Sequence, residues 1–335
     1  MYIKRGVFSM VKFVVDMMGG DNGPKPLAEA ILAYLKVYND MKFYCVGKIE
    51  EMEILKDNPN VELIDARDEI SMEDAPMAAI KKKESSMIKA FSVFKLEQAD
   101  AILSTGGTAA YLTGATLLLG RLKGIKRPAL VSPFPTVNKG QYTTILDIGA
   151  NSVCTIEEMH QFALMGNVYH KAVFGVLNPK VMTLSNGTED HKGTPLIQDT
   201  NKLLKEENRI NYLGHIEARN VLNGEADVVV CDGFNGNILL KSIEGTFSVV
   251  KGLLKSGFKS NPLTMIGYLF SKSVIKNITE TFNYKAVGGA MLLGTNGVVV
   301  KAHGNSDFEG FTGALNVARR MVDNNIVEKI RGLIN

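Results

Sequence analysis

The chain has 335 residues, enough to bury a large core as one α/β body or as two lobes. An apolar content of 45% and a charged content of 22% are ordinary for a globular protein, and a net charge of +3 is too mild for a nucleic-acid binder. Three cysteines without a CxxC, and five scattered histidines, give no zinc pattern. Cys45 and Cys231 fall in strand-like runs and read as buried thiols of a reducing cytosol.

No secretory signal is visible at the start, and residues 1–9 read as a leader, a mis-set start or an expression remnant. Val11–Pro24 (VKFVVDMMGGDNGP) is an apolar β-branched run that drives into two carboxylates around a Gly-Gly pair. Pro24 then opens an amphipathic helix, KPLAEAILAYLK. A strand, a loop and a helix start mark the place where open α/β sheets put their ligand sites. The loop matches neither GxGxxG nor GxxxxGK[ST]. Asp16 and Asp21 would repel a bare phosphate unless cations sit nearby.

Strands and helices then alternate. FYCVG (43–47) and VELIDA (61–66) read as strands, and a Lys- and Met-rich helix is expected over 77–98. ADAILS (99–104) is a buried strand ending in Ser104-Thr105-Gly106-Gly107-Thr108, with a long small-residue helix after it. That loop is the best anion site in the sequence. Glycines expose N–H groups, hydroxyls add donors, and a helix N-terminus follows. It holds no lysine, so it suits inorganic phosphate or a phosphate ester, or it is a plain strand–helix turn. PALVSPFP (128–135) and TTILDIGAN (143–151) are further strands with turns.

The polar loop Thr188–Gly193 follows the strand-like VMTLS. Its Lys192 either neutralises phosphate or is a solvated surface lysine. ADVVVCDGFNGNILLK (226–241) reads as a strand, a Gly/Asn loop and a helix start. Asn side chains there can donate to a carbonyl or phosphate oxygen, or serve turn chemistry. NGVVVKAHGNSD (296–307) repeats the pattern before a helix at Phe311–Val322, and His303 at its strand end can donate to an anion or move a proton. Continuous apolar strands alternating with helices predict a parallel, doubly wound sheet.

Gly245–Phe282 is helical in pattern, with a break at Ser260-Asn261-Pro262. Lys251, Lys255 and Lys259 share one face, and Leu254, Phe258, Leu263, Ile266 and Phe270 belong to the apolar side. Two readings stand: a helical pair packed on the body or a second subunit, and an amphipathic arm on an anionic membrane.

These loops, in this order, resemble the bacterial phosphate acyltransferases of phospholipid synthesis (the PlsX type). The family's D-A-M-G-G-D-x-x-P opening is close to Asp16–Pro24. SSM (85–87), GIKRPAL (124–130), Leu146–Cys154 as L-D-x-G-A-N-x-x-C, and QFALMG (161–166) are family-like. So are GEADVVVCDGFNGNILLKSIEG (224–245), GGAMLLGTNGVVV (288–300) and AHG (302–304). Two segments depart from it. Gly107 replaces an asparagine, and Ser185–Gly193 keeps the lysine but only part of an acidic run.

The resemblance implies a three-layer α/β/α sandwich akin to isocitrate and isopropylmalate dehydrogenases, with one catalytic unit over 10–335 and a protruding helical hairpin at 245–282. It implies transfer of a long acyl group from acyl carrier protein to inorganic phosphate, in a cytoplasmic homodimer that touches the membrane peripherally, with no nucleic acid, metal or cofactor. Phosphate is already a nucleophile, and a thiol with a pKa of about 8.5 leaves without strong acid help. The expected scheme is direct attack without an acyl-enzyme. Ser104, Thr105, Gly106, Gly107 and Thr108 hold phosphate with Lys192, and Asn151, Gly233 and Asn235 add substrate contacts. Asn237 and His303 stabilise the oxyanion or the thiolate, and Asp232 orients a donor. Asp16, Gly19, Gly20 and Asp21 organise the cleft, its carboxylates pairing with a cation such as Lys192 or an arginine, or bonding backbone N–H groups. Lys81, Lys82, Lys83 and Lys89, and Lys123, Lys126 and Arg127, are candidate docking clusters for the acidic carrier, or solvated faces. Under this reading the arm is a dimer element with a membrane-touching tip. A dehydrogenase of the same fold and a non-catalytic adaptor are the alternatives.

Overall fold

A computed structural model describes residues 10–71, 74–281 and 288–334. Residues 1–9 and Phe282, at the end of the expected arm, lie outside them. The chain divides into two compact units: Met1–Pro128 with Lys285–Asn335, and Ala129–Tyr284.

Along the chain, the first unit begins with β1 (Val11–Asp16), α1 (Lys25–Val37), β2 (Met41–Gly47) and β3 (Val61–Asp65). It continues through α2 (Pro76–Ala79), α3 (Ser86–Leu96), β4 (Ala101–Ser104) and α4 (Thr108–Gly114), and resumes at β10 (Ala290–Leu293), β11 (Val298–Lys301), α9 (Phe308–Asp323) and α10 (Ile326–Ile334). Its strands lie in the order β3-β2-β1-β4-β11-β10. β1, β4 and β11 are apolar and almost wholly buried, as covering on both faces requires. α3 packs on β1, β2 and β4, while α9 packs on β4, β11 and α1. β2 and β3 run outward on one side of β1, and β4 enters on the other. The carboxyl ends of β1 and β4 therefore flank a topological switch point, where open sheets bind ligands.

The second unit holds β5 (Ala129–Pro135), β6 (Tyr142–Leu146), α5 (Ile156–Phe174), β7 (Lys180–Ser185), α6 (Pro195–Lys205), β8 (Asn211–Glu217), β9 (Val228–Val230), α7 (Gly233–Phe258) and α8 (Pro262–Thr281). Its strand order is β5-β6-β9-β7-β8. α5 starts at a capping box, with Thr155 accepting from the Glu158 amide and Glu158 from the Thr155 amide, and it stops at Gly175, whose φ is 73°.

The doubly wound α/β class is as expected, but the sheet is not wholly parallel. β10–β11 and β5–β6 are antiparallel. Their connections are too short for a crossover, so only a hairpin can join them. The helix expected over 77–98 is broken between α2 and α3. There Ser85 donates to Lys82 O at 2.7 Å, its residue bridges to Asp68, and the lysine run lies in turns.

Candidate active site

Three loops meet at the switch point of the first unit. The Gly19-Gly20 pair makes this approach geometrically possible. A Cβ on Gly20 would lie 2.5 Å from Thr105 Oγ1, and one on Gly19, whose φ is +79°, would lie 3.1 Å from Gly106 Cα. The amide of Asp21 donates to Gly304 O at 2.8 Å, and Asn22 Nδ2 donates to the carbonyls of Asn305 and Ser306. The structure thus gathers Asp16, Gly19, Gly20, Asp21, Ser104–Thr108 and the half-buried His303 in one place.

Strand register sets the polar row at its floor. Asp16 pairs with Ser104 across β1–β4, and Ser104 pairs with Lys301 across β4–β11. Residues paired in register point to the same side of a sheet, so a carboxylate, a hydroxyl and an ammonium stand level on three adjacent strand ends. Asp16 accepts from Ser86 Oγ at 2.6 Å, Ser104 Oγ at 2.7 Å and the Met18 amide at 3.3 Å. Burial raises its carboxyl to about 6, against the opposing pull of these donors and of Lys301. Asp16 thus bonds the Met18 amide, and the cation beside it is Lys301. Burial lowers the Lys301 ammonium to about 8, while Asp16 and Asp21 oppose the shift. Its Nζ donates to Thr105 O and Ala302 O. Beside it lies a cavity of about 250 Å³ lined by Gly106, Gly107, Thr108, Lys301 and Gly304, with Ser71 and Asp74 on its wall.

In the second unit a buried carboxylate builds a turn. Asp147 accepts from the amides of Leu130, Gly149, Ala150 and Asn151, and from Asn151 Nδ2 at 2.8 Å. This turn receives the N-terminus of α7. Gly233 N donates to Asn151 O at 2.8 Å, and a Cβ on Gly236 would lie 1.9 Å from Asp147 O. The loop expected over Asp232–Asn237 is therefore the first turn of a helix. Asp232 is its N-cap, accepting from the Phe234 and Asn235 amides and from Asn235 Nδ2 at 2.6 Å. A capping aspartate satisfies the free amides there, which an Asn/Gly-rich string does not reveal. Asn235 and Asn237 are exposed, and Asn237 Cβ would meet a Cβ on Gly149 at 3.6 Å.

Lys192 lies in the loop after β7, and the contacts that join Asn151 to α7 do not involve it. Its stem packs over Gly187, where a Cβ would lie 2.7 Å from Lys192 Cγ. The thiols have no sign of activation: all three are buried, and burial pushes Cys154 up to about 12 and Cys231 well above its usual value. Among the described residues no group of three or more His, Cys, Asp or Glu could hold a metal ion. Lys82 is paired to Asp74 at 2.6 Å and Lys89 to Glu84 at 2.8 Å, which offsets part of one docking cluster.

Sequence reasoning overlooked Lys301 and Asp147. Each carried a signal: Lys301 is a charge closing an otherwise apolar strand, and Asp147 follows the buried run TTIL.

The chain matches the family model described as "Fatty acid synthesis protein" over residues 11–329. It is 41% identical over 326 residues to the "Phosphate acyltransferase" of Clostridium perfringens (strain SM101 / Type A), covering 96% of each chain. Its fold is similar to that of a phosphotransacetylase from Streptococcus pyogenes, with a TM-score of 0.61, 15% identity and 94% of each chain covered. A 4-hydroxythreonine-4-phosphate dehydrogenase from Klebsiella pneumoniae shares the fold at a TM-score of 0.52 and 12% identity, over 94% of this chain and 100% of the other. The chain belongs to the fatty acid synthesis protein family, as a phosphate acyltransferase of the PlsX type.

Proposed function

We propose that this enzyme transfers a long-chain fatty acyl group from acyl carrier protein to inorganic phosphate, giving acyl phosphate for phospholipid synthesis. A phosphate oxygen attacks the thioester carbonyl, the C–S bond breaks, and the carrier leaves as a thiolate that takes a proton from water. No acyl-enzyme forms. The observation that carries this reading is the cavity against Gly106, Gly107 and Thr108 at the switch point of the first unit. Backbone N–H groups and hydroxyls there can receive an oxyanion without a nucleotide loop. The buried, unactivated cysteines argue against a thiol nucleophile.

Lys192, Asn237 and His303 are proposed to neutralise phosphate and stabilise the oxyanion or the thiolate, with Asp232 holding Asn235 and Asn151 held by Asp147. Release of carrier thiol from palmitoyl carrier should require phosphate and should slow in Lys192→Ala and in His303→Ala. Wild-type rates in both variants would remove this scheme.

The arm supports a homodimer that touches an anionic membrane from the cytoplasmic side. Between α7 and α8 runs a groove of about 790 Å³ with Leu254, Phe258 and Ile266 inside and Lys251, Lys255, Lys259 and Lys272 around it. Leu263 and Phe270 are exposed on the same hairpin. Apolar residues ringed by lysines suit a surface of anionic headgroups. No helix among the described residues is long and apolar enough to cross a membrane.

A further inference from the structure

Phosphate binding in the first unit meets a charge problem. Asp74 lines the cavity, and Asp16 and Asp21 lie near enough to act on the charge of Lys301 on its wall, so an incoming anion enters the field of three carboxylates. Asp74 is held by Lys82. Asp16 is held by two serine hydroxyls and an amide, which do not cancel its charge. A cation is needed inside the site.

Lys301 is placed to supply it. The residue is 7% exposed and ends an otherwise apolar strand. Packing alone would be served by leucine or methionine there, because burying an ammonium is costly. Its partners are two backbone carbonyls, Thr105 O and Ala302 O, which are neutral acceptors. Among the described residues no carboxylate lies within ion-pair distance of its Nζ. An ammonium has three N–H donors, so one remains beyond those two carbonyls. The result is a buried positive charge, attracted to Asp16 and Asp21 but ion-paired to neither, on the wall of a cavity whose other lining includes Gly106–Thr108.

We propose that Lys301 holds the acceptor phosphate: its ammonium, level with Asp16 and Ser104 on three strand ends, donates to a phosphate oxygen seated against Gly106–Thr108. The inference rests on the phosphate-acyltransfer reading and adds the residue that fixes the nucleophile. An anion in the cavity would also raise the ammonium back toward its ordinary range, so phosphate binding and Lys301 protonation are coupled.

The test uses the whole chain with inorganic phosphate as the probe. Phosphate, compared with chloride at equal ionic strength, should raise the melting temperature of the wild type, and Lys301→Met should abolish that rise. In carrier-release assays Lys301→Met should raise the KM for phosphate about tenfold or more and leave the KM for palmitoyl carrier within about twofold. A phosphate-induced melting shift, or a phosphate KM, equal to wild type in the variant overturns the proposal. If Lys301→Met fails to fold, the wild type decides. Its phosphate affinity should fall as pH rises from about 8.5 to about 10, where inorganic phosphate is almost wholly the dianion, and a flat profile overturns the proposal. A wild type that binds phosphate but releases no carrier would defeat the functional reading alone, since the melting shifts still judge Lys301.

Discussion

Ser104 donates its hydroxyl to Asp16 Oδ2 at 2.7 Å and accepts the Gly106 amide at 3.0 Å through the same oxygen. One buried hydroxyl thus ties the end of β1 to the turn that follows β4. Carboxylate, hydroxyl and amide form a chain, and the amide end belongs to the proposed phosphate loop.

Removing that hydroxyl should loosen the turn and leave Asp16 with one donor fewer. Ser104→Ala should lose about 1–3 kcal/mol of stability in urea unfolding, the range for an unpaired buried polar group. Its KM for phosphate should also rise. Wild-type stability together with a wild-type phosphate KM would show that the hydroxyl positions nothing.

Two buried groups push acid stability in opposite directions. Asp16 is raised to about 6 from 3.8, so between those values the folded chain binds more protons than the unfolded one, and stability falls as pH rises. His170, bonded to Thr144 Oγ1 at 2.9 Å, is lowered by burial to about 4 from 6.5, so across that window stability rises with pH. Relative to wild type, Asp16→Asn should therefore gain stability between pH 4 and 6.5, and His170→Gln should lose it. Urea midpoints at the two pH values measure both, and pH-independent differences would refute the assignment.

The approach of α7 to the Asp147 turn depends on the absence of a side chain. Gly236→Ala would place a methyl 1.9 Å from a backbone carbonyl, which no flexible side chain can relieve. The variant should unfold at lower urea, by about 1–3 kcal/mol or more, and should lose activity because Gly233, Asn235 and Asn237 shift with the helix. Gly245→Ala, in open space on the same helix, is the control and should be neutral or slightly stabilising.

The proposed membrane tip makes its own prediction. Leu254→Glu combined with Phe258→Glu should cut sedimentation with anionic vesicles severalfold without changing carrier release in solution. Unchanged vesicle binding would refute the tip.

The strands were legible because continuous apolar runs such as VKFVVD, AILS and VVV leave little alternative to buried parallel strands. Their antiparallel partners were not. AMLL and VVVK differ from crossover strands only in the few residues between them, and the connection length decides the direction. The strand-end loops at Gly19-Gly20, Ser104–Thr108 and His303 were visible as strings, but register brings them together, and register is a pairing property that one strand does not encode. The same reason hid Lys301, which reads as a charge on an apolar strand until β4 places it level with Ser104 and Asp16. The start of α7 was misplaced because Asp232-Gly-Phe-Asn-Gly-Asn has the composition of a turn, whereas Asp232 caps a helix whose glycines serve packing against Asn151 and Asp147.

In the proposed mechanism phosphate, not an enzyme nucleophile, takes the acyl group from the carrier. Palmitoyl carrier protein, enzyme and radiolabelled inorganic phosphate should yield a labelled, solvent-extractable palmitoyl phosphate in step with the free carrier thiol, with no acyl mass on the enzyme when phosphate is withheld. Carrier thiol released without labelled palmitoyl phosphate, or a palmitoylated enzyme, would contradict the proposed mechanism.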